Sequence, residues 1–177
     1  KGVCIALAAA PTPAYTLSLP RSATSPVTTL PLTNTTALLA SFTLHPVGSA
    51  TELRTLKLGF VTNNAKLLAG PFFIKINGAT VYTASSTLIA NSATDLTSLP
   101  LTTFPALPDN QDSTITVEAM VGSGASAGNA ITVFLNVSAI RQVATNVIAD
   151  PHLAIVSGNQ LTVQGPGLVV SSLSDGG

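Results

Sequence analysis

Long polar side chains are nearly absent from this chain, and their absence limits which folds it can adopt. Glu, Lys, Arg and Gln together make up 13 of the 177 residues, although these residue types normally fill the exposed faces of helices. A helix of any length would therefore have no polar face to present to water. Hydroxyl groups are plentiful instead, with 24 Thr and 17 Ser. Because Thr, Val and Ile fit a pleated surface, the sequence predicts an all-β fold.

Turn signals divide the chain into about ten short strands. The clearest is Asn77-Gly78 between Phe72–Ile76 and Ala79–Thr83, since Asn-Gly supplies the positive φ angles of a type I′ hairpin. Ala130–Ile140 predicts the longest strand, and the Gly-rich stretch Gly122–Gly128 predicts a flexible connection before it. This pattern is typical of an antiparallel β-sandwich or jelly roll, and it leaves the strand order open.

Proline is concentrated at the beginning of the chain. Residues 1–33 hold five prolines: Pro11, Pro13, Pro20, Pro26 and Pro31. Because proline cannot donate to a strand ladder, we predict an extended N-terminal arm over residues 1–33 and a β-sandwich domain over residues 34–177. Lys1 and the apolar run that follows it resemble the tail of a signal segment, and that run is too short to span a bilayer.

The charge balance predicts self-association outside the cell. Seven acidic and seven basic residues give a net charge of zero, so copies of the chain repel one another weakly. No basic stretch suits a nucleic acid or an anionic membrane surface, and we expect neither partner. Cys4 is the one cysteine and cannot form a disulfide within the chain. The expected partners are copies of the same chain, with glycans attached to the surface.

The apolar run Val3–Ala10 needs a packing partner. We predict that it packs on a neighbouring copy, and that the final apolar strand Leu168–Val170 does the same. The alternative is that both segments close the sheets of their own chain. The predicted subunit-interface residues are Val3, Ile5, Leu7, Tyr15, Leu17, Leu168, Val169 and Val170.

No pattern in the chain predicts catalysis. His45 and His152 are the only histidines, each stands beside or near a proline in a turn-like context, and no Gly-x-Ser-x-Gly elbow is present. We therefore predict no catalytic residue, no enzyme activity and no cofactor, although a Ser-His-Asp group assembled across the fold stays open. Asp109 and Asp112 share an oxygen-rich loop, but two carboxylates are few for Ca²⁺. We interpret that loop as a solvated turn and predict no metal site, with a cation shared between subunits left open.

Two tripeptides match the N-glycosylation pattern. They begin at Asn34 and at Asn136. Asn34 lies at the junction between the arm and the domain, which makes it the better candidate. Asn136 falls inside a predicted strand, so its modification requires an exposed face.

Several segments resemble a β-sandwich module common in prokaryotic surface-layer and adhesin-like proteins. They are Ala40–Leu44, Gly48–Leu58, Phe73–Gly78, Thr114–Val121 and Ala127–Ile131, and the resemblance covers residues 37–140. The apolar leading segment also resembles the terminal strand of secreted filament subunits, in which one subunit's strand completes the sheet of the next. That second resemblance implies a head-to-tail contact made by strand donation. The chain departs from the commonest bacterial pattern because no cysteine pair staples the fold.

Together these patterns predict the structural subunit of an extracellular filament, pilus-like or thread-like, or of a surface lattice. A viral or phage capsid, spike or decoration protein with a jelly-roll fold is one alternative, because it shares the arm and the sheet content. An adhesive or carbohydrate-binding module is another, and it would present a groove bearing aromatic side chains. A secreted hydrolase would need a His within reach of a Ser, Asp or Glu in a cleft.

Overall fold

Two β-sheets contain the strands of the part of the chain that the structure describes. A computed structural model describes residues 15–27, 29–30 and 35–164. The strands in these ranges are β1 (Thr16–Ser18), β2 (Thr29–Leu30), β3 (Thr36–Val47), β4 (Thr51–Thr62), β5 (Leu68–Ile76), β6 (Ala79–Ser85), β7 (Thr97–Pro100), β8 (Ala106–Leu107), β9 (Ser113–Val121), β10 (Ala130–Gln142), β11 (Ile148–Ala149), β12 (Val156–Ser157) and β13 (Leu161–Val163). Within the same ranges, no helix has the length and apolar character needed to cross a membrane. The predicted all-β fold is confirmed.

The order of strands shows how the two sheets are built. The first sheet runs β1-β3-β9-β5-β6, and the second runs β2-β13-β10-β4-β7, with β11 and β12 beside β10 and β8 beside β4. All these pairs are antiparallel except β2 with β13, which is parallel. The predicted sandwich is therefore confirmed, with one parallel pair between segments that are distant in the sequence.

Alternation along the central strands directs one side chain in two into a shared core. In β9 every second residue is buried, from Ser113 to Val121, and β10 follows the same period as far as Val137, because successive side chains of a strand point to opposite faces. The rings of Phe60 on β4 and Phe72 on β5 lie 5.4 Å apart between centroids and so connect the two sheets. Burying a side chain of this size contributes about 1.5–3 kcal/mol.

The β5–β6 hairpin has the predicted turn. Asn77 has φ 49° and Gly78 has φ 85°, the two positive values that a type I′ turn requires. The side chain of Asn77 also accepts a hydrogen bond from the backbone N–H of Thr114, at 2.8 Å. This bond fixes the hairpin to the start of β9.

Side-chain hydrogen bonds hold the Gly-rich connection before β10, and its predicted flexibility stays a prediction. Asn129 Oδ1 accepts from the backbone N–H of Ser126 at 2.7 Å and from its hydroxyl at 3.0 Å. Asn64 Nδ2 donates to the same oxygen at 2.7 Å and to the backbone oxygen of Gly124 at 3.0 Å. The glycines allow the chain to bend here, and the asparagines fix the bend.

The described part of segment 1–33 packs on the domain. β1 pairs with the end of β3, from Thr16 opposite Val47 to Ser18 opposite His45. Leu17, Leu19 and Leu30 are buried in the common core. The rest of the predicted arm lies outside the described residues, and the boundary at residue 33 stays a prediction.

Candidate functional site: an open sheet edge and a polar cleft

β6 forms the outer edge of the first sheet. It pairs with β5 from Pro71 opposite Ser85 to Ile76 opposite Ala79, with one irregularity near Val81. Among the strands of the described ranges, none pairs with its other side. An outer strand presents a row of backbone N–H and C=O groups that can pair with another chain.

β6 is also the longest of the outer strands in the described ranges. Its seven residues include no charged residue and no proline. The other outer strands are shorter: β1 has three residues, β2 has two, and β7 has four and ends in Pro100. Proteins usually block an exposed edge with charge, proline, a bulge or short length, and β6 has only the irregularity at Val81.

A polar cleft of about 420 Å³ lies on the outer face of the second sheet. Lys57 on β4 and Asn136 on β10 are directly opposite each other in the antiparallel ladder, and both line the cleft. The full lining is Lys57, Thr94, Asp95, Leu96, Asn136, Asp150, His152, Leu153 and Ile155.

One wall of the cleft is the segment after β6. The backbone N–H of Phe60 donates to the oxygen of Ala90 at 3.0 Å, and the N–H of Ala90 donates to the Thr97 hydroxyl at 2.8 Å. These bonds hold residues 90–97 against β4. Gly59 allows the close approach, because a side chain there would collide with this segment.

The other wall is a fixed turn at Asp150-Pro151-His152. Asp150 Oδ1 accepts a hydrogen bond from the backbone N–H of His152 at 2.7 Å. His152 has φ 52°, a left-handed conformation that His, Asn and Asp adopt more often than other residues with a side chain. His152 Nδ1 lies 3.8 Å from the same carboxylate oxygen. Asn136 Nδ2 donates to the backbone oxygen of Leu153 at 2.6 Å, which ties the turn to the cleft floor.

Charge is concentrated in this cleft. Lys57, Asp95 and Asp150 are three of the chain's fourteen acidic and basic residues, and His152 is one of its two histidines. Many of the other charged side chains form ion pairs within the chain, as in Lys75 with Glu118 at 2.7 Å. Lys57 and Asp95 form no ion pair with any described residue.

A separate charged cluster joins β4 to β10. Glu52 accepts hydrogen bonds from Arg141 Nε at 2.9 Å, from a terminal nitrogen of Arg141, and from Arg54 at 2.8 Å. The Arg141 hydrogen bond, more than any other cause, holds the pKa of the Glu52 carboxyl below its usual value. Arg54 also lies over the ring of Phe104, 3.6 Å from the centroid. The cluster fixes the register of the two strands and lies outside the cleft.

Most of the predicted interface residues cannot be placed. Val3, Ile5, Leu7, Leu168, Val169 and Val170 lie outside the described residues. Leu17 is buried in the chain's own core. Tyr15 packs against that core, and burial raises the pKa of its phenol. The interface role predicted for these residues stays a prediction.

The two aspartates of the oxygen-rich loop have partners within the chain. Asp109 Oδ1 accepts from the backbone N–H of Gly48 at 2.8 Å, and Asp112 Oδ1 lies 2.7 Å from His45 Nδ1. The first contact joins the loop to the β3–β4 turn, and the second joins it to β3, because His45 lies within that strand and not in the turn expected from the sequence. His45 therefore has a structural role.

The two glycosylation candidates lie in different parts of the chain. Asn34 lies outside the described residues. Asn136 is half-buried in β10, and its side-chain nitrogen donates to Leu153. Because a glycan would be attached to this nitrogen, its addition would disturb the hydrogen bond at the cleft floor.

Sequence reasoning singled out neither β6 as an open edge nor the cleft. Gly59, which interrupts the regular strand β4, was one signal for the cleft, since a glycine within a strand often marks a close backbone approach. The Asp150-Pro151 turn was the other. Lys57 and Asn136 had no signal of their own, because each resembles an ordinary outward-facing strand residue.

Comparisons with known proteins concern the fold alone. No protein-family model matches the chain, and no curated protein matches it. The chain is similar to a family 123 glycoside hydrolase from Clostridium perfringens, with 10% identity, a TM-score of 0.47, and coverage of 85% of this chain and 28% of the hydrolase. It is similar to AvmM, a macrocyclization catalyst of alchivemycin A biosynthesis, with 13% identity, a TM-score of 0.36 and coverage of 88% and 92%. It is also similar to a mutant of the adhesin CfaE from enterotoxigenic Escherichia coli, with 8% identity, a TM-score of 0.34 and coverage of 85% and 49%.

These similarities correct one prediction and support another in part. The prediction that the chain is not an enzyme is wrong as an exclusion, because a glycoside hydrolase and a macrocyclization catalyst are among the matched structures. At this level of identity they assign no reaction to the chain. The predicted likeness to adhesin-type modules is confirmed only as a shared β-sandwich fold.

Proposed function

We propose that the chain is the structural subunit of an extracellular filament or surface lattice, and that copies join by strand addition at the outer edge of β6. The observation that carries this proposal is β6 itself, which has seven neutral residues and no strand from the described ranges on its outer side. The irregularity near Val81 leaves Tyr82–Ser85 in regular register with β5, so this part of the edge suits an added strand best. Added strands gain affinity from backbone hydrogen bonds, each contributing about 1 kcal/mol net.

The donor in this proposal is the apolar run Val3–Ala10 of another copy. Val3, Ile5 and Leu7 alternate with smaller residues, so an extended strand would carry large apolar side chains on one face only. That face would cover the core beside β6, where Ala84 is already buried. Burial contributes about 1.5–3 kcal/mol for each large side chain, before the cost of ordering the segment.

Surface composition supports assembly outside the cell. A net charge of zero leaves little repulsion between copies, and a hydroxyl-rich surface wets the polymer without charge. Leu168–Val170 is a second candidate donor, and Asn34 is the preferred glycan site. Leu17 already fills the core of its own chain, so the donor role rests on Val3, Ile5 and Leu7.

Matched charge substitutions on the two outer strands of the first sheet test the proposal. Thr80→Lys with Thr83→Lys places charge on β6 at exposed positions, and Thr16→Lys with Ser18→Lys places the same charge at exposed positions on β1. Electron microscopy and size-exclusion chromatography of the full chain should show loss of polymer only for the β6 pair. Ile5→Asp should have the same effect from the donor side, with an unchanged circular dichroism spectrum. Polymers of wild-type length from the β6 variant would overturn the proposal.

A further inference from the structure

The polar cleft on the second sheet holds donors and acceptors that the fold does not use. Lys57 and Asp95 have no ion-pair partner among the described residues. Asn136 uses its amide nitrogen in a bond to Leu153, and its Oδ1 has no hydrogen bond to a described residue. Polar groups on a concave surface that lack protein partners are satisfied by water or by a ligand.

The charges of the side chains that line the cleft indicate which class of ligand it can bind. Two carboxylates, Asp95 and Asp150, disfavour an anion. The Lys57 ammonium disfavours a divalent cation, and within the described ranges no three His, Cys, Asp or Glu side chains form a group that could hold a metal ion. A polyol uses both kinds of partner, because each hydroxyl can donate to a carboxylate while it accepts from an ammonium or an amide.

The cleft also offers an apolar surface of suitable size. Leu96, Leu153 and Ile155 contribute aliphatic side chains, and Ile155 is 41% exposed. Aliphatic groups can contact the C–H face of a pyranose ring, and the volume of about 420 Å³ falls within the range of ordinary ligand sites, about 300–1,000 Å³. We infer that the cleft is a binding site for a neutral saccharide.

This site differs from the groove that the alternative of a carbohydrate-binding module would present. That groove would carry aromatic platforms, whereas the lining of this cleft has no Phe, Tyr or Trp. Recognition here depends on a hydrogen bond donated by the Lys57 ammonium and on hydrogen bonds accepted by the Asp95 carboxylate and by Asn136 Oδ1, with aliphatic contacts beside them. The turn at Asp150 and the wall over Gly59 are already fixed. Binding would therefore cost little conformational entropy.

Saccharide binding is independent of the proposed assembly. The cleft lies on the outer face of the second sheet, and β6 belongs to the first. A chain that fails to polymerise can still bind a saccharide in the cleft, and a polymer can form with the cleft empty. The two proposals therefore succeed or fail separately.

Titration of the full chain with defined probes tests the inference. The saccharide probes are maltotriose, cellotriose and mannotriose, and the comparison probes are triglycine, sodium sulfate and calcium chloride. Two-dimensional NMR should show saturable shifts of the Asn136 and His152 amides with at least one trisaccharide. Lys57→Gln and Asp95→Asn should each weaken that binding about tenfold, the loss of one charge-assisted hydrogen bond. Lys66→Gln removes the same charge outside the cleft and should change the affinity by less than about twofold.

Three results would overturn the inference. One is the absence of saturable shifts with every trisaccharide at about 10 mM, the weak limit of a specific site. Another is wild-type affinity in both cleft variants. The third is binding of triglycine, sulfate or calcium at the same amides while no saccharide binds. Saccharide binding by native material, measured before and after glycosidase treatment, distinguishes two sources of the ligand. Treatment would expose the cleft only if a glycan of a neighbouring copy occupied it, and not if the ligand were a free saccharide.

Discussion

Gly59 lies directly under the backbone oxygen of Ser92. A Cβ atom at position 59 would be 2.5 Å from that oxygen and 2.6 Å from Cδ2 of Leu96. Carbon atoms do not approach a backbone oxygen this closely, so the segment after β6 can rest on β4 only because residue 59 has no side chain. One glycine thus determines whether the polar cleft has its wall.

Replacing this glycine should destabilise the protein and displace the wall. We expect Gly59→Ala to lower the free energy of unfolding by about 1–3 kcal/mol, the usual effect of overpacking, as measured by urea denaturation. Ser98→Ala, at an exposed position on the neighbouring strand β7, is the control and should stay within about 0.5 kcal/mol of the wild type. Wild-type stability of Gly59→Ala would show that the segment does not rest on β4.

Two other glycines should act through backbone conformation alone. Gly78 has φ 85° and Gly128 has φ 83°, and a Cβ at either position would meet no atom within 4 Å. We expect Gly78→Ala and Gly128→Ala each to cost about 1–2 kcal/mol, the penalty of a left-handed conformation for a residue with a Cβ. Gly78→Asn should cost less, because asparagine tolerates this region better. Thermal or urea unfolding measures all three, and a neutral effect of either alanine would contradict the strain argument.

The parts of the fold that depend on neighbouring residues could be predicted from the sequence. Asn77-Gly78 determines its turn through its own φ angles, and the alternation in β9 follows from side chains two residues apart. The parallel pairing of β2 with β13 joins residues 29–30 to residues 162–163. No local pattern specifies such a pair, because its stability depends on contacts that exist only after the sheets have formed.

The cleft was hidden for the same reason. Lys57 and Asn136 become neighbours only through the β4–β10 ladder, and Asp95 and Asp150 reach them on loops. Composition describes an average surface, so the low charge of the whole chain gave no sign that Lys57, Asp95 and Asp150 share one cleft. The prediction of no enzyme activity had the same weakness, because it was based on the absence of short sequence motifs. Such motifs do not show which distant residues the fold brings together.

Stability should depend on pH through Glu52. Hydrogen bonds from Arg141, more than any other cause, lower the pKa of this carboxyl in the folded chain below its ordinary value. A lowered folded-state pKa gives stability that is present above the unfolded-state pKa and is lost as the pH falls through the folded-state pKa. We therefore expect Glu52→Gln to reduce the free energy of unfolding more at pH 7 than at about pH 3, as measured by urea denaturation.

Salt provides an independent check on this ion cluster. The Glu52 side chain is 20% exposed, so added salt partly screens its charge. Salt should therefore reduce the difference in unfolding free energy between Glu52→Gln and the wild type at pH 7. In the pH experiment, the loss of unfolding free energy in Glu52→Gln could instead be the same at pH 7 and at about pH 3. That result would show that the arginines do not act on this carboxyl in the folded chain.

The Gly-rich connection before β10 should lose its order when Asn129 is shortened. Asn129 Oδ1 accepts two hydrogen bonds from Ser126 and one from Asn64. Asn129→Ala leaves these donors without their partner, so we expect a loss of about 1–3 kcal/mol in the free energy of unfolding and faster hydrogen exchange at the Ser126 amide. Asn129→Asp keeps an oxygen acceptor at the same place and should restore slow exchange at that amide. Slow exchange at Ser126 in Asn129→Ala would mean that backbone contacts hold the connection and that the asparagine is dispensable.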